Sequence, residues 1–250
     1  FNIATTVLLF PVSNLIIKLA KKIGGVKENE ADRSKILLDD RMLETPSIAL
    51  QSVINETVRM GEIVRESLNV AKNVLHTKSE ADLCILKEDE SVVDRLCAGI
   101  TDYTIKLSAL QISEREHQIT AHLLQVLSDI ERVSDYCENI SEFAETMIEK
   151  KLEFSDIANE QLDEMIAASV DSYNYALDAF KEESTEKALK VIEKETQVDD
   201  LEIMLRTGHM KRLAKNECNT EAGVVFLDTL VCMERISDHA RNIAEEVLGN

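Results

Sequence analysis

Hydrophobic residues recur every three to four positions along most of the chain beyond residue 45, which is the period of an amphipathic helix. The first such stretch carries them at Ala49, Val53, Met60, Val64, Leu68, Ala71 and Leu75. Thr45 and Pro46 suit an N-cap and a first helical residue, and a polar stretch at 77–80 ends the pattern. A long helix is therefore predicted over about 46–77.

The same periodicity predicts five further helices. They run over about Ala81 to Leu110, Ser113 to Lys151, Ser155 to Glu182, Thr185 to Lys215 and Thr220 to Leu248. Ser113 and Glu116 have the spacing of a capping box at the start of the third helix. Helices of about 30 residues with short joints favour antiparallel bundles.

The chain contains an internal repeat. The segment DIERVSDYCENISE, in the predicted third helix, matches CMERISDHARNIAE in the sixth. Asp135 thereby aligns with Asp238, an offset of 238 − 135 = 103. Asp94 aligns with Asp199 in the preceding helices, an offset of 199 − 94 = 105. Separated segments that keep one order and nearly one offset indicate two copies of a three-helix unit.

Composition agrees with this architecture. The chain has only 7 Gly and 2 Pro, and it is 44% hydrophobic and 4% aromatic. Sheets would favour aromatic and β-branched residues with more frequent turns. The predicted fold is all-α, with two tandem three-helix bundles over 45–151 and 152–250, preceded by one apolar helix.

Charge and cysteine spacing exclude some function classes. A formal net charge of −19 repels a phosphate backbone, so nucleic acid is not expected as a partner. The cysteines are Cys84, Cys97, Cys137, Cys218 and Cys232. No two have CxxC spacing, which argues against structural zinc and redox dithiols. Their positions on apolar helix faces predict buried free thiols.

The first residues have the pattern of a membrane span. Residues 1–20, FNIATTVLLFPVSNLIIKLA, carry one charge, Lys18, and more lysines follow, as in the positive-inside pattern. A membrane-spanning helix is predicted over 1–22, a linker over 23–44, and a cytoplasmic location beyond. Because polar residues dilute the run, a buried bundle helix and a signal-peptide remnant remain alternatives. Phe1 in place of Met suggests that a longer protein continues upstream.

Acidic residues form four pairs at i, i+4 spacing. They are Glu90 with Asp94, Glu131 with Asp135, Glu195 with Asp199, and Glu234 with Asp238. This spacing puts both carboxylates of a pair on one side of a helix, where they repel unless a cation lies between them. Glu131 and Asp135 fall more than roughly 100° from the centre of their helix's apolar stripe. A solvent-accessible metal site on the flank of each bundle is predicted; a solvated acidic face, or pairing with Arg or Lys, is the alternative.

Other candidate chemistry is sparse. Glu114-x-x-His117 is half of a carboxylate di-iron motif, and the sequence has no second Glu-x-x-His. His239 follows Asp238 and is a possible further ligand, although a lone histidine is more often a surface residue. Arg132 and Arg235 occupy equivalent repeat positions. Phosphate binding is one alternative for them, and pairing with neighbouring carboxylates is the simpler prediction. Nothing in the sequence indicates an enzyme.

The repeat segments resemble a known family. ERISDHARNIAEE, from Glu234 to Glu246, is similar to the signature of PhoU, a phosphate-regulation protein of two three-helix repeats, and ERVSDYCENISE, from Glu131, is similar to its first copy. The resemblance implies that the Glu/Asp-x-x-x-Asp motifs hold multinuclear clusters of iron or another metal, such as manganese or zinc. It matches at Glu90, Asp94, Glu131, Asp135, Glu195, Asp199, Glu234 and Asp238.

The front of the chain resembles a narrower group. Residues 1–20 are similar to the last membrane segment of bacterial sodium/phosphate cotransporters, and LLDDRMLETPSIAL, at 37–50, to the join with their PhoU-like tail. The resemblance implies a cytoplasmic regulatory domain on a plasma-membrane, sodium-dependent phosphate transporter. Its partners would be the upstream transport domain, signalling or transport proteins, and a second copy in a homodimer. The Gln-Ser-Ser transport motifs are absent from this sequence, so it is not expected to transport alone.

Two other function classes stay open. One is a metal-free adaptor bundle that binds a transport or signalling protein; the other is a bundle metalloenzyme, against which the missing second Glu-x-x-His argues. Metal analysis of the purified bundles would separate the metal-binding module from the adaptor. Which metal binds, and whether the domain inhibits or activates transport, does not follow from the sequence.

Overall fold

A computed structural model describes residues 33–249, which contain six long α-helices and no β-strand. The helices are α1 (Pro46–Thr77), α2 (Glu80–Ser108), α3 (Glu114–Lys150), α4 (Asp156–Glu182), α5 (Thr185–Ala214) and α6 (Thr220–Leu248). A short 3-10 helix, Asp40–Glu44, precedes them. The all-α prediction is confirmed, and every helix end lies within two residues of the predicted one.

The helices pack in two groups of three. Helices α1, α2 and α3 contact one another, and α4, α5 and α6 do the same. The two bundles meet mainly where α3 packs against α6, with a smaller contact between α1 and α4. The signature segments of the two repeats therefore lie on the two helices that join the bundles.

The helix ends follow the capping rules. The Ser113 side chain accepts a hydrogen bond from the backbone N–H of Glu116, whose carboxylate accepts from Ser113 in return, so the predicted capping box is confirmed. Three helices end on non-glycine residues in the left-handed region, namely Lys78 (φ 49°), Lys151 (φ 52°) and Glu183 (φ 50°). Such caps are less favourable than glycine, so the neighbouring packing fixes where these helices end.

The core consists of the predicted apolar stripes. On α3 the stripe is Leu123, Val126, Leu127, Ile130, Cys137 and Ala144, and each of these residues is at most 2% exposed. A fully buried leucine or isoleucine contributes about 1.5–3 kcal/mol. Because this stripe fixes the rotation of α3, Glu131 and Asp135 lie on the flank of the helix, partly exposed.

Residues 36–44, which lie within the linker predicted over 23–44, pack against the first bundle. Ile36, Leu38 and Met42 pack against the core of the first bundle. The hydroxyl of Tyr103 on α2 donates to the backbone oxygen of Asp39 at 3.0 Å. The apolar side chains of this segment are the ones that pack against the bundle. Charged residues beside them made this short apolar pattern hard to recognise in the sequence.

Two other predictions concern the ends of the chain and the thiols. The membrane helix predicted over 1–22 lies outside the described residues, and within 33–249 no helix is both long and apolar enough to cross a bilayer. The cysteines are free, as predicted, but only Cys137 and Cys232 are buried. Cys84 is exposed and Cys97 and Cys218 are partly exposed, so the prediction of five buried thiols is wrong.

Candidate metal centres

The first candidate centre lies on the flank of the first bundle. Glu90 and Asp94 come from α2 and Asp135 from α3, and one carboxylate oxygen from each lies within 4.8 Å of the others. Asp94 is exposed, and the other two are half-buried. Helices α2 and α3 are antiparallel neighbours, so carboxylates on the flank of one helix lie close to carboxylates on the flank of the other.

The second candidate centre occupies the equivalent place in the second bundle. Glu195 and Asp199 come from α5 and Asp238 from α6, again with one oxygen from each within 4.8 Å of the others. Glu195 is buried, while Asp199 and Asp238 are half-buried. Each three-carboxylate group contains three of the four residues that the sequence pattern assigned to that bundle.

The fourth predicted carboxylate of each bundle lies beside its group and outside it. Glu131 is 3.7 Å from Arg132, and Glu234 is 3.4 Å from Arg235. Burial raises the pKa of Glu131, with a further contribution from the charge of Asp135. These two glutamates are thus near enough to act electrostatically on the centres, while their side chains turn toward an arginine.

Each arginine also bonds the aspartate one turn further along. Arg132 Nη1 donates to Asp135 Oδ2 at 3.0 Å, and Arg235 Nη1 donates to Asp238 Oδ2 at 2.9 Å. The pairing that the sequence suggested for the two arginines is confirmed. Each centre therefore has at least one built-in positive charge at its edge.

The first centre has more negative charge than that arginine balances. Burial, followed by the charges of Asp94 and Glu138, raises the pKa of Glu90 from the ordinary 4.5 to about 7. Burial also raises the pKa of Asp135, against the opposing effect of Arg132. At neutral pH, a proton or another cation is therefore favoured at this place.

The second centre contains an unpaired oxygen. Asp199 Oδ1 is buried, and no hydrogen-bond partner for it exists among residues 33–249. Burial, and then the charges of Glu195 and Asp238, raise the pKa of Asp199. A set of carboxylate oxygens fits cations that prefer oxygen ligands, such as manganese or iron, better than it fits zinc, which prefers histidine and cysteine.

One contact in the second centre was missed from the sequence. Arg241 Nη1 donates to Glu195 Oε1 at 2.8 Å, and Arg241 Nε donates to Glu245 at 2.8 Å. The repeat offset places Glu138 at the corresponding position of the first bundle, since 241 − 103 = 138. Arg241 and Glu138 have opposite charges at equivalent repeat positions, and this difference was the sequence signal that could have indicated the contact.

Both centres flank the seam between the bundles. Tyr136 and His239, which are repeat-equivalent because 239 − 103 = 136, have ring centroids 5.9 Å apart. The buried Asp129 lies 2.8 Å from His239 Nδ1 and accepts from Asn242 Nδ2 at 3.0 Å. His239 thus helps to join the bundles and is outside the three-carboxylate group of the second centre.

Two solved structures with the same fold are PhoU proteins. The PhoU of Pseudomonas aeruginosa superposes with a TM-score of 0.75 at 22% identity, covering 80% of this chain and 95% of that one. The phosphate transport system regulatory protein PhoU of Streptococcus pneumoniae gives 0.73 at 20% identity, covering 82% and 95%. At this identity the likeness shows the fold.

Two kinds of relative match in sequence. A phosphate-specific transport system accessory protein, PhoU homolog 1 of Thermotoga maritima, is 26% identical over 78% of this chain and 83% of its own length. The putative inorganic phosphate export protein YjbB of Salmonella typhimurium is 21% identical over 99% of this chain. This chain spans only 46% of that export protein.

The two repeats also match a family model. The PhoU domain model matches residues 57–144 and 162–247, one match in each bundle and together well over half of the chain. The match, the six-helix fold and the paired signature segments on α3 and α6 agree. The chain belongs to the PhoU family.

Proposed function

We propose that this chain is a regulatory module of inorganic phosphate transport whose two carboxylate centres bind metal ions. The regulatory part is supported by membership of the PhoU family and by a relative named as a phosphate transport accessory protein. The metal-binding part is supported by one observation above all. Three carboxylates gather within 4.8 Å at repeat-equivalent places in both bundles, although they repel one another there.

We further propose that the module works on a sodium-dependent transport domain of the plasma membrane, in the same polypeptide. The support is the resemblance of residues 1–20 to a membrane segment and the match to phosphate export proteins over 99% of this chain. Phosphate flux in vesicles containing the full-length parent should depend on a sodium gradient. Deletion of residues 46–250 should change the rate of phosphate flux. A flux that depends on neither the sodium gradient nor the deleted residues would contradict the proposal.

A bound cation would bring the centre residues to charge balance. Glu90, Asp94 and Asp135 would hold it in the first bundle, and Glu195, Asp199 and Asp238 in the second. Such an ion ties α2 to α3, or α5 to α6, and so stabilises the folded state by RT ln(1 + [L]/Kd). A metal-dependent change in stability is therefore the direct signature of the proposal.

The experiment is a set of thermal melts of the full chain with a chelator and with added iron, manganese or zinc. Metal should raise the Tm of the wild type. Asp135→Asn should weaken that rise while leaving the metal-free protein as stable or slightly more so, because one repelling charge is gone. Asp102→Asn is the matched control, since Asp102 is an exposed aspartate of α2 outside the centre. Its response to metal should equal that of the wild type.

The metal-free adaptor remains a second candidate because arginines already pair with the centres. Arg132, Arg235 and Arg241 bond Asp135, Asp238 and Glu195 at 2.8–3.0 Å. If the carboxylates serve only to form these ion pairs, Asp135→Asn should destabilise the metal-free protein. Added metal should then leave the Tm of the wild type unchanged. That pair of results would replace the metal-binding proposal with the adaptor.

A further inference from the structure

A cleft of about 270 Å³ lies at one end of the second bundle. It is bounded by the last turns of α5, the first turn of α6 and the start of α4. The residues that matter here are Ser155, His209, Arg212, Asn219, Gly223 and Phe226. The cleft is separate from both carboxylate centres, since none of their residues lines it.

His209 is an unusual residue to find in the lining of this cleft. The residue is only 3% exposed, and both of its ring nitrogens are buried with no hydrogen-bond partner anywhere in the described part of the chain. The ring stacks on Phe226 with centroids 4.8 Å apart. Buried polar atoms are rarely left unpaired in native proteins, so an orphaned imidazole beside a cleft points to a missing partner.

The first bundle supplies a control for this interpretation. The repeat places Thr104 where the second bundle has His209, since 209 − 105 = 104. Thr104 is buried as well, but its hydroxyl donates to the backbone oxygen of Ile100 at 2.8 Å. The fold therefore tolerates a satisfied residue at this position, and it does not require a buried imidazole.

Two neighbouring positions change together with His209. Arg212 replaces the buried Leu107, because 212 − 105 = 107, and Gly223 replaces a threonine of the first bundle at position 223 − 103 = 120. A Cβ on residue 223 would lie 2.6 Å from His209 Nε2. Glycine is thus required for the ring to occupy its place, and the substitutions together open a polar site in one bundle.

The charge of the cleft favours an anion. Ser155 and Asn219, the N-caps of α4 and α6, both line it, so the positive ends of two helices point toward the same space. Arg212 adds a full positive charge, and its Nη2 donates to Gln161 at 2.9 Å.

Two carboxylates, those of Glu153 and Glu217, also line the cleft, and exposure to solvent screens their opposition to this charge. Glu153 is paired with Lys78 at 2.7 Å, and Glu217 is exposed. The acidic residues in the first turns of the two helices, Asp156 and Glu221, do not line the cleft.

We propose that this cleft binds a small tetrahedral oxyanion, held by Arg212, by His209 and by the two helix N-termini. Arg212 supplies the charge. Because both ring nitrogens of His209 are buried, the ring must turn toward the cleft for one N–H to donate to an anion oxygen, which then gives the imidazole the partner that it lacks. The geometry serves equally for a free ion and for the phosphoryl group of a small phosphomonoester. This site is independent of the proposed metal centres.

The test is a titration of the full chain, in chelator, with inorganic phosphate, sulfate and glycerol phosphate. Chelator removes anion binding through metals, so the outcome does not depend on the metal proposal. Phosphate and sulfate should shift the His209 ring signals in NMR saturably, and calorimetry should give the affinity. Tighter binding of glycerol phosphate would identify the phosphoryl group as the ligand, whereas exclusion of it would identify the free ion; both support the cleft.

Matched variants localise the effect. Arg212→Gln should weaken anion binding by about tenfold or more, since it removes a charge-assisted hydrogen bond. Lys211→Gln, the same charge change on the neighbouring exposed residue, should alter it by less than about twofold. His209→Thr, which installs the residue of the first bundle, should also weaken binding while the fold is retained. No saturable shift at His209, or equal losses from Arg212→Gln and Lys211→Gln, would overturn the proposal.

Discussion

The two carboxylate centres are built on the same scaffold but balance their charge differently. In the second centre, Arg241 reaches across to the buried Glu195 and bonds it at 2.8 Å. In the first, the equivalent residue is Glu138, whose charge adds to the repulsion around Glu90. One substitution between the repeats thus turns a built-in counter-ion into an additional acid.

This difference separates two ways of tolerating clustered acids. In the first centre no residue equivalent to Arg241 opposes the repulsion, and burial, together with the charges of Asp94 and Glu138, raises the pKa of Glu90 to about 7. The second centre uses an arginine whose own pKa is raised by its hydrogen bonds to Glu195 and Glu245. A metal entering the second centre must compete with Arg241 for Glu195, so we expect the first centre to bind metal more tightly.

The largest expected effect is on metal-dependent stability. Metal at about one hundred times its Kd should stabilise the wild type by about 2.7 kcal/mol per site. Asp94→Asn should remove most of the gain seen at low metal concentration, whereas Asp199→Asn, the same change in the second centre, should remove little of it. Urea unfolding with manganese or iron measures both, and equal losses in the two variants would contradict the ranking of the centres.

The next effect concerns the built-in counter-ion. Arg241→Gln should destabilise the metal-free protein by about 1.5 kcal/mol, because it leaves the buried Glu195 uncompensated while Arg241 itself is partly exposed and screened. The same variant should bind metal better at the second centre, since its competitor is gone. Arg235→Gln, whose arginine is more exposed and bonds the half-buried Asp238, should cost less. A stability of Arg241→Gln equal to that of the wild type would refute the counter-ion role.

A smaller effect follows from the pKa of Glu90. Folding raises that pKa from 4.5 to about 7, so between these values the folded state holds a proton that the unfolded chain has released. Stability without metal should therefore fall as pH rises through this window, by about 1 kcal/mol after allowance for solvent screening. Glu90→Gln should flatten that part of the curve in urea unfolding measured in chelator. A wild-type curve that rises over the same range, with no change on substitution, would exclude the shift.

The sequence predicted the scaffold well because periodicity and repeats report directly on helices. The stripe around Ile130 had to face the core, and the capping box at Ser113 had to begin a helix. The buried stripes fix the rotation of each helix about its axis. The directions in which α2 and α3 present Asp94 and Asp135 were therefore predictable as well. Placement of backbone and faces is thus within reach of sequence reasoning.

The sequence did not predict the conformations of individual side chains or the partners that they bond. Glu131 and Glu234 lie on the predicted faces, yet they turn toward Arg132 and Arg235, since a long side chain selects among rotamers by local charge. The bond from Arg241 to Glu195 crosses between helices α5 and α6 and depends on a distance that no spacing rule contains. Metal binding also depends on the balance between carboxylate repulsion and pairing with arginine, so it stays a prediction.

The smallest expected change in stability, and the sharpest test of the comparison, comes from moving the arginine. Glu138→Arg gives the first centre the residue of the second and should place a cation beside Glu90. The metal-free protein should change by less than about 0.5 kcal/mol, because the position is partly exposed and the gain in charge balance is screened. The pKa of Glu90, followed by carboxyl NMR, should fall toward its ordinary range, and the metal-dependent gain of the first centre should shrink toward that of the second. Glu149→Arg makes the same charge change on an exposed position of α3 about three turns from Glu138, and it should leave both quantities unaltered. If both variants weaken metal binding alike, net charge and not the local counter-ion decides between the centres.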